Sequence, residues 1–273
     1  MSRSHWEVTE VPDNADPQPL AELFDVERID LGLYRAHGYS DGRSVPHGRL
    51  AAQALVACGD TVESGRIPHS LHGYYLRRGD TREPVMFRVE SDRDDSRYSA
   101  RRVVALQDGY AICTISASFT VDVDSAEAVG TRSGPASPPG RLCEEPTHPS
   151  VEVSDEQLPP PHPRRVRLRP TGLSTAADPV RSAALITYFS DVSSMVHRGR
   201  LGEALDVGLD HSVWFHRCPR QLTSPLTVEI SPGVAMGRRT WYSGTITDEN
   251  RRVVARLAQE VECRGAVGSE SGR

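Results

Sequence analysis

Lysine is missing from this chain: all 32 basic residues among its 273 are arginine. That absence excludes Schiff-base chemistry, a lysine general base and the phosphate-binding lysine of a P-loop. Cysteine is sparse, with 5 residues (Cys58, Cys113, Cys143, Cys218 and Cys263) at wide spacing and no CxxC pair. An odd, scattered set provides neither a disulfide framework nor a zinc knuckle, and it fits a reducing compartment. No apolar run is long enough to span a bilayer, and the opening Met-Ser-Arg-Ser-His-Trp-Glu carries no apolar signal region. The expectation is a soluble cytoplasmic protein that engages no membrane. Excess positive charge is also lacking. The formal net charge is −5, whereas binding a phosphate backbone requires a basic face, so nucleic acid is not an expected partner.

Hydrophobic residues make up 37% of the chain, enough for a core, but 22 Gly and 20 Pro leave part of it outside. Residues 1–19 are polar and proline-bearing and read as a loose arm. Residues 122–163 include Ser-Gly-Pro-Ala-Ser-Pro-Pro-Gly and Leu-Pro-Pro-Pro-His-Pro, which can neither donate to a ladder nor continue a helix. This stretch reads as a semi-rigid linker between two units, 20–121 and 164–265, with 266–273 as a tail.

The two units have the same plan. Each opens on a short extended piece, Leu33-Tyr34-Arg35-Ala36 in one and Arg167-Leu168-Arg169 in the other. Each continues with one helical stretch: Leu50, Ala51, Ala54, Leu55, Cys58 and Val62 recur at helical spacing, as do Leu185, Tyr188, Phe189, Val192 and Val196. Strands of period-two alternation follow. Pro84–Val89 parallels Pro225–Ile230, and Tyr98–Val103 parallels Thr240–Gly244. Asp108-Gly109 signals a hairpin turn, with Asp248-Glu249-Asn250 in the matching place. The closing strands are Ala111–Phe119 and Val253–Val261. A helix followed by hairpins, occurring twice, predicts an α+β fold of mostly antiparallel sheet. A long helix laid across such a sheet is the hotdog arrangement, and two in tandem are expected to pair their sheets edge to edge, covering one open edge each.

Two polar residues interrupt apolar patterns. On the last strand Val253, Ala255, Leu257, Gln259 and Val261 share one face, so Gln259 is a polar side chain on the apolar side. Asp191 falls within the second helical stretch, beside its apolar stripe. A buried amide or carboxylate without a partner costs roughly 1–3 kcal/mol or more, so each is either satisfied structurally or held for a purpose. Other motifs are weaker. In Leu209–His216, alternation puts Asp210, Ser212, Trp214 and His216 on one face and His211 on the other, so adjacent Asp, His and Ser form no nucleophilic relay. His211/His216 and His69/His72 lack further ligands at metal spacing, so no metal is expected. Gly38-Tyr39-Ser40-Asp41-Gly42 matches a nucleophile elbow in letters but lacks the helix that must follow at once, and reads as a turn. The arginine pairs 77–78, 101–102, 238–239 and 251–252 suit phosphates in chemistry, though most read as solvated.

Five segments in order resemble signatures of the type II acyl-CoA thioesterases. They are His69–Asp80, Tyr98–Val103, Tyr188–Asp191, Leu209–His216 and Ala258-Gln259-Glu260. The resemblance spans roughly residues 20 to 265. It implies a double hotdog fold that hydrolyses acyl-CoA to free acid and coenzyme A. It also implies a water held by an aspartate, a hydroxyl and a glutamine, at positions that here are Asp191, Gly208 and Gln259. Two departures follow. Gly208 supplies no hydroxyl, and a Gly-Gly-Gln stretch at the first helix appears here as His47-Gly48-Arg49. The resemblance makes the Gly48 amide a candidate oxyanion donor, with His47 and Arg49 beside it at the substrate.

The leading expectation is thus thioester hydrolysis on coenzyme A or a carrier protein, without a cofactor, in a homo-oligomer. One alternative is a dehydratase or hydratase of acyl thioesters using His47 with Asp41. The other is a catalytically weak acyl-thioester-binding accessory protein, suggested by Gly208.

Overall fold

The computed structural model describes residues 22–38, 45–121, 164–170, 178–191, 207–217, 224–231 and 233–262, together with the backbone of strands at 141–142 and 151–156. The expected arm and tail lie outside the described residues.

The apolar stripe of the first half forms α1 (His47–Gly59), which begins directly after Pro46 and ends at Asp60. The stripe of the second forms α2 (Pro179–Phe189). Asp178 caps α2 by accepting from the backbone N–H groups of Val180 and Arg181, and Pro179 supplies a preset φ in the first turn. Ser190 is the C-cap. Asp191 therefore lies just past the helix end and not inside it, while Val192 and Val196 are outside the described residues.

The strands of the first half are β1 (Glu27–Asp30), β2 (Leu33–Ala36), β3 (Arg66–Tyr75), β4 (Val85–Asp94), β5 (Tyr98–Gln107) and β6 (Tyr110–Val121). Those that follow are β7 (Arg141–Leu142), β8 (Val151–Glu156), β9 (Arg164–Pro170), β10 (Val207–Gly208) and β11 (Asp210–Phe215). The last are β12 (Leu226–Ile230), β13 (Val234–Met236), β14 (Arg239–Thr247) and β15 (Val253–Glu262). The β5–β6 turn is Asp108-Gly109, and both residues have positive φ (50° and 78°), which fits a type I′ hairpin.

All strands join one continuous sheet in the order β1-β2-β4-β5-β6-β3-β11-β15-β14-β12-β9-β8-β7. Reading outward from the β3–β11 seam, β6, β5, β4, β2 and β1 on one side match β15, β14, β12, β9 and β8 on the other. The seam is antiparallel, with Tyr74 opposite Asp210 and Leu71 opposite Val213. The two halves thus close edge to edge as a double hotdog, and neither leaves its innermost strand as an open edge. In this scheme β8 pairs with β9 as β1 pairs with β2. The second repeat of strands therefore begins at Val151, inside the stretch expected to be linker.

The helices lie antiparallel on one face of the sheet. A Cβ on Gly48 would come 2.8 Å from Tyr188 O, and one on Gly59 would come 2.6 Å from Val180 Cγ1. Glycine at both crossings lets the helix backbones approach this closely. Phe87, Val103, Ile115 and Phe119 of one half, and Val228, Ile246 and Leu257 of the other, are buried in a common core with the helices. Each such side chain contributes roughly 1.5–3 kcal/mol by leaving water.

Candidate active site

Where the start of α1 meets the end of α2, a carboxylate is buried. Asp191 is 1% exposed, and each of its oxygens receives an N–H: Gly48 N donates to Oδ2 at 3.0 Å and Gln259 Nε2 donates to Oδ1 at 3.0 Å. Gln259 is 0% exposed. Its strand dictates this, because residue 259 shares the inward face of β15 with Leu257 and Val261, both buried. Two N–H donors and the positive end of α1 stabilise the ionised carboxyl in a place where bulk water does not. Such a group can take a proton from water. Asp191 and Gln259, singled out in the sequence on separate elements, meet.

The other residues read from the sequence gather at the same spot, with altered roles. The Gly48 N–H, expected to receive a thioester oxygen, is already engaged by Asp191. It holds the carboxylate in place and is not a vacant oxyanion donor. A side chain at 48 has no room, since a Cβ there would lie 2.8 Å from Asp191 Cβ. Arg49 is buried, 4% exposed, in the first turn of α1. Gly208 sits in β10 opposite Val261, two residues from Gln259 along β15. A Cβ on Gly208 would come 2.7 Å from His47 Nδ1 and 2.9 Å from Gln259 Nε2. The two departures noted in the sequence, at 47 and 208, are thus in direct contact: the imidazole fills the space a side chain at 208 would need.

Sequence reasoning missed a buried polar chain behind His47. The His47 ring stacks on Tyr75, with centroids 4.0 Å apart and planes 9° apart. The Tyr75 hydroxyl lies 3.1 Å from His47 O and 3.0 Å from His211 Nδ1. His211 Nε2 lies 2.8 Å from Ser190 Oγ, which donates to Thr187 O at 2.7 Å. Burial drives the His211 pKa down to about 4, so the ring is neutral and has a single N–H. That proton goes to Ser190 Oγ, and the lone Tyr75 proton is divided between His211 Nδ1 and His47 O. Burial also pushes the Tyr75 phenol up, keeping it protonated. His47 itself is lowered by burial, against the pull of Asp191 and with a push from Arg78. The available signal was alternation, which turns Tyr75 on β3 and His211 on β11 inward.

Apart from Arg78, whose charge reaches His47, the following motifs resolve away from the site. His72 meets Ser212 Oγ at 3.1 Å and packs edge-on against Trp214, and His69 packs edge-on against Tyr98. Among the described residues no three His, Cys, Asp or Glu side chains gather as a metal would require. Arg101 is 3% exposed and pairs with Asp94 at 3.0 Å, while Arg102, Arg238 and Arg239 pair with Glu90, Glu262 and Glu260. Ser40 and Asp41, the latter needed by the lyase alternative, lie outside the described residues.

Comparison with known proteins identifies the family. A family model described as the acyl-CoA thioesterase N-terminal domain matches residues 36–120, and one described as the C-terminal domain matches residues 123–262. Acyl-CoA thioesterase 2 of Haemophilus influenzae is 29% identical, over 88% of this chain and 95% of its own. A solved tesB protein of Mycobacterium avium subs paratuberculosis is 30% identical over 89% of this chain and 97% of that one, with a TM-score of 0.73. A hot dog protein of Alicyclobacillus acidocaldarius, 14% identical, superposes with a TM-score of 0.73 over 90% of this chain and 98% of that one, a likeness of fold. The chain belongs to the acyl-CoA thioesterase family. It is a thioester hydrolase of double hotdog fold, and nothing in these comparisons favours a lyase or a passive binder.

Proposed function

We propose that the chain hydrolyses acyl-CoA, or the same acyl group on a carrier protein, with one water activated by Asp191 and oriented by Gln259. The observation that supports this most directly is the buried Asp191 carboxylate with an N–H on each oxygen, from Gly48 and Gln259. Asp191 takes a proton from the water as its oxygen bonds to the thioester carbonyl carbon. The tetrahedral intermediate then breaks its C–S bond, releasing the acid and a thiolate that recovers the proton from Asp191. Coenzyme A enters as part of the substrate, and no further cofactor is called on.

Two accompanying expectations belong to the same proposal. Tyr74, Trp214 and Trp241 are exposed on the outer face of the sheet, which supports assembly with copies of this chain. Cys58 and Cys113 are free, which fits the cytoplasm.

The test is release of free thiol from an acyl-CoA series, followed with a thiol-reactive dye. The wild-type enzyme is expected to release thiol, and Asp191→Asn to lower kcat by about 10²-fold or more. An Asp191→Asn enzyme that kept its rate would overturn the assignment.

A further inference from the structure

We propose that the His47 imidazole is a third group on the attacking water, standing in the space that Gly208 leaves open. This rests on the reading of Asp191 and Gln259 just given and adds a catalytic residue to it.

Three observations converge. First, the ring and the glycine are fitted to each other. A side chain at 208 would have its Cβ 2.7 Å from His47 Nδ1, closer than an unstrained contact allows. Only a residue without Cβ leaves the ring where it is. Second, the ring reaches the reacting corner. The same point lies 2.9 Å from Gln259 Nε2, and that nitrogen donates to Asp191. His47 Nδ1 and the Asp191–Gln259 pair therefore border a common space. Third, the ring is held. Tyr75 stacks on it and bonds to its carbonyl, and His211 and Ser190 brace Tyr75 from behind. Nδ1 is the ring atom nearest the space at Gly208, so the polar edge of the stacked ring is turned toward Gln259.

The chemistry suits this place. A water here can give one O–H to Asp191 and the other to a neutral imidazole nitrogen, leaving a lone pair for the carbonyl carbon. Asp191 takes the proton, and the net protonation of His47 does not change during the step. The groups facing His47 are Asp191 beyond α2, Arg78 beyond β3, Tyr75 on β3 and His211 on β11. Burial and Arg78 favour the neutral ring and Asp191 opposes them. The water-holding form is thus lost as pH falls through a value below the ordinary histidine range.

The experiment is a cycle on full-length enzyme: His47→Ala, Gly208→Ser and the double variant His47→Gly/Gly208→Ser, each assayed for thiol release from acyl-CoA, with thermal midpoints to confirm folding. His47→Ala is expected to lower kcat roughly ten- to a hundredfold and to remove the acid limb that the ring sets. Gly208→Ser alone also loses rate, because its Cβ displaces the ring. The double variant, in which a hydroxyl takes the vacated space, is expected to run faster than either single variant. A His47→Ala enzyme with wild-type kcat and an unchanged acid limb overturns the proposal, and so does a double variant slower than both singles. Should His47→Ala fail to fold, His47→Asn is read in its place. Its amide retains a polar atom near Nδ1, so at least a tenth of the rate is expected to survive, and loss as complete as in Asp191→Asn counts against the role. If Asp191→Asn is dead while His47→Ala is unaffected, this inference alone fails. If Asp191→Asn is unaffected, the underlying reading fails with it.

Discussion

Gly48 and Asp191 are 143 residues apart in the chain, and the amide of the first donates to the carboxylate of the second at 3.0 Å. One belongs to the start of the first repeat's helix and the other to the end of the second's. Together with Gln259 from the last strand, they make a site that neither repeat holds alone. The tandem chain thus brings the two repeats together at one buried carboxylate, Asp191, that takes a donor from each.

The tight approach at Gly48 gives the first prediction. Gly48→Ala places a methyl 2.8 Å from both Asp191 Cβ and Tyr188 O. Backbone cannot yield as a flexible side-chain tip does, so the helix ends must separate. The expected cost is about 1–3 kcal/mol of stability, together with a large fall in kcat as Asp191 shifts. Thermal unfolding and thiol release measure the two, and an alanine variant with wild-type values of both would show the crossing to be looser than the 2.8 Å approach requires.

Gln259→Leu keeps the volume on β15 but removes the N–H on Asp191 Oδ1. A buried carboxylate oxygen left without its donor costs about 1–3 kcal/mol, and the base also loses its fixed orientation. We expect lower stability and a kcat reduced about tenfold or more, with KM little changed, because the proposed role of the amide is on the water and the carboxylate and not on the substrate. A variant that altered only KM would assign Gln259 to substrate binding.

The sequence made Asp191 and Gln259 legible because each breaks an apolar pattern, and both prove buried, at 1% and 0% exposure. It did not show that they meet. Periodicity reports which face a residue occupies, not which helix ends cross, and the Gly48 contact depends on that crossing. The end of α2 was misread for a related reason: apolar residues at 192 and 196 extend the pattern past the Ser190 cap. Strand β8 was hidden by the prolines around it, since Val151 and Val153 alternate over too few residues to stand out until β9 is there to pair with. The contact between His47 and Gly208 was invisible because both looked like isolated departures.

His211 predicts how stability depends on pH. In the folded protein it stays neutral down to about pH 4, against an ordinary value of 6.5. Between those values the unfolded chain binds more protons than the folded one, so stability is full above about pH 6.5 and declines as pH falls toward 4. A fully buried ring makes the loss on the order of a few kcal/mol. Thermal midpoints of wild type and His211→Gln, measured from pH 7.5 to 4.5, test this. The wild-type midpoint is expected to fall more steeply than that of the variant, and parallel curves would remove His211 as the cause.

At the opposite end of the helix pair lies Arg101, buried and 3% exposed. There Gly59 packs on Val180, and Thr61, just beyond α1, accepts from Arg101 Nε at 2.8 Å through Oγ1 and from Nη2 at 3.0 Å through its carbonyl. Arg101 also pairs with Asp94 at 3.0 Å. A guanidinium with this many internal partners is a structural plug, not a phosphate receptor, although its sequence neighbour Arg102 made the pair look suited to one. Replacing it by methionine leaves Asp94, half-exposed, able to turn to solvent, but leaves the Thr61 carbonyl without its donor. We expect Arg101→Met to lower stability by about 1–3 kcal/mol while kcat and KM for acyl-CoA stay within about twofold, well under the tenfold change that 1.4 kcal/mol of lost binding would bring. A KM raised tenfold or more in a stably folded variant would instead place Arg101 in contact with coenzyme A.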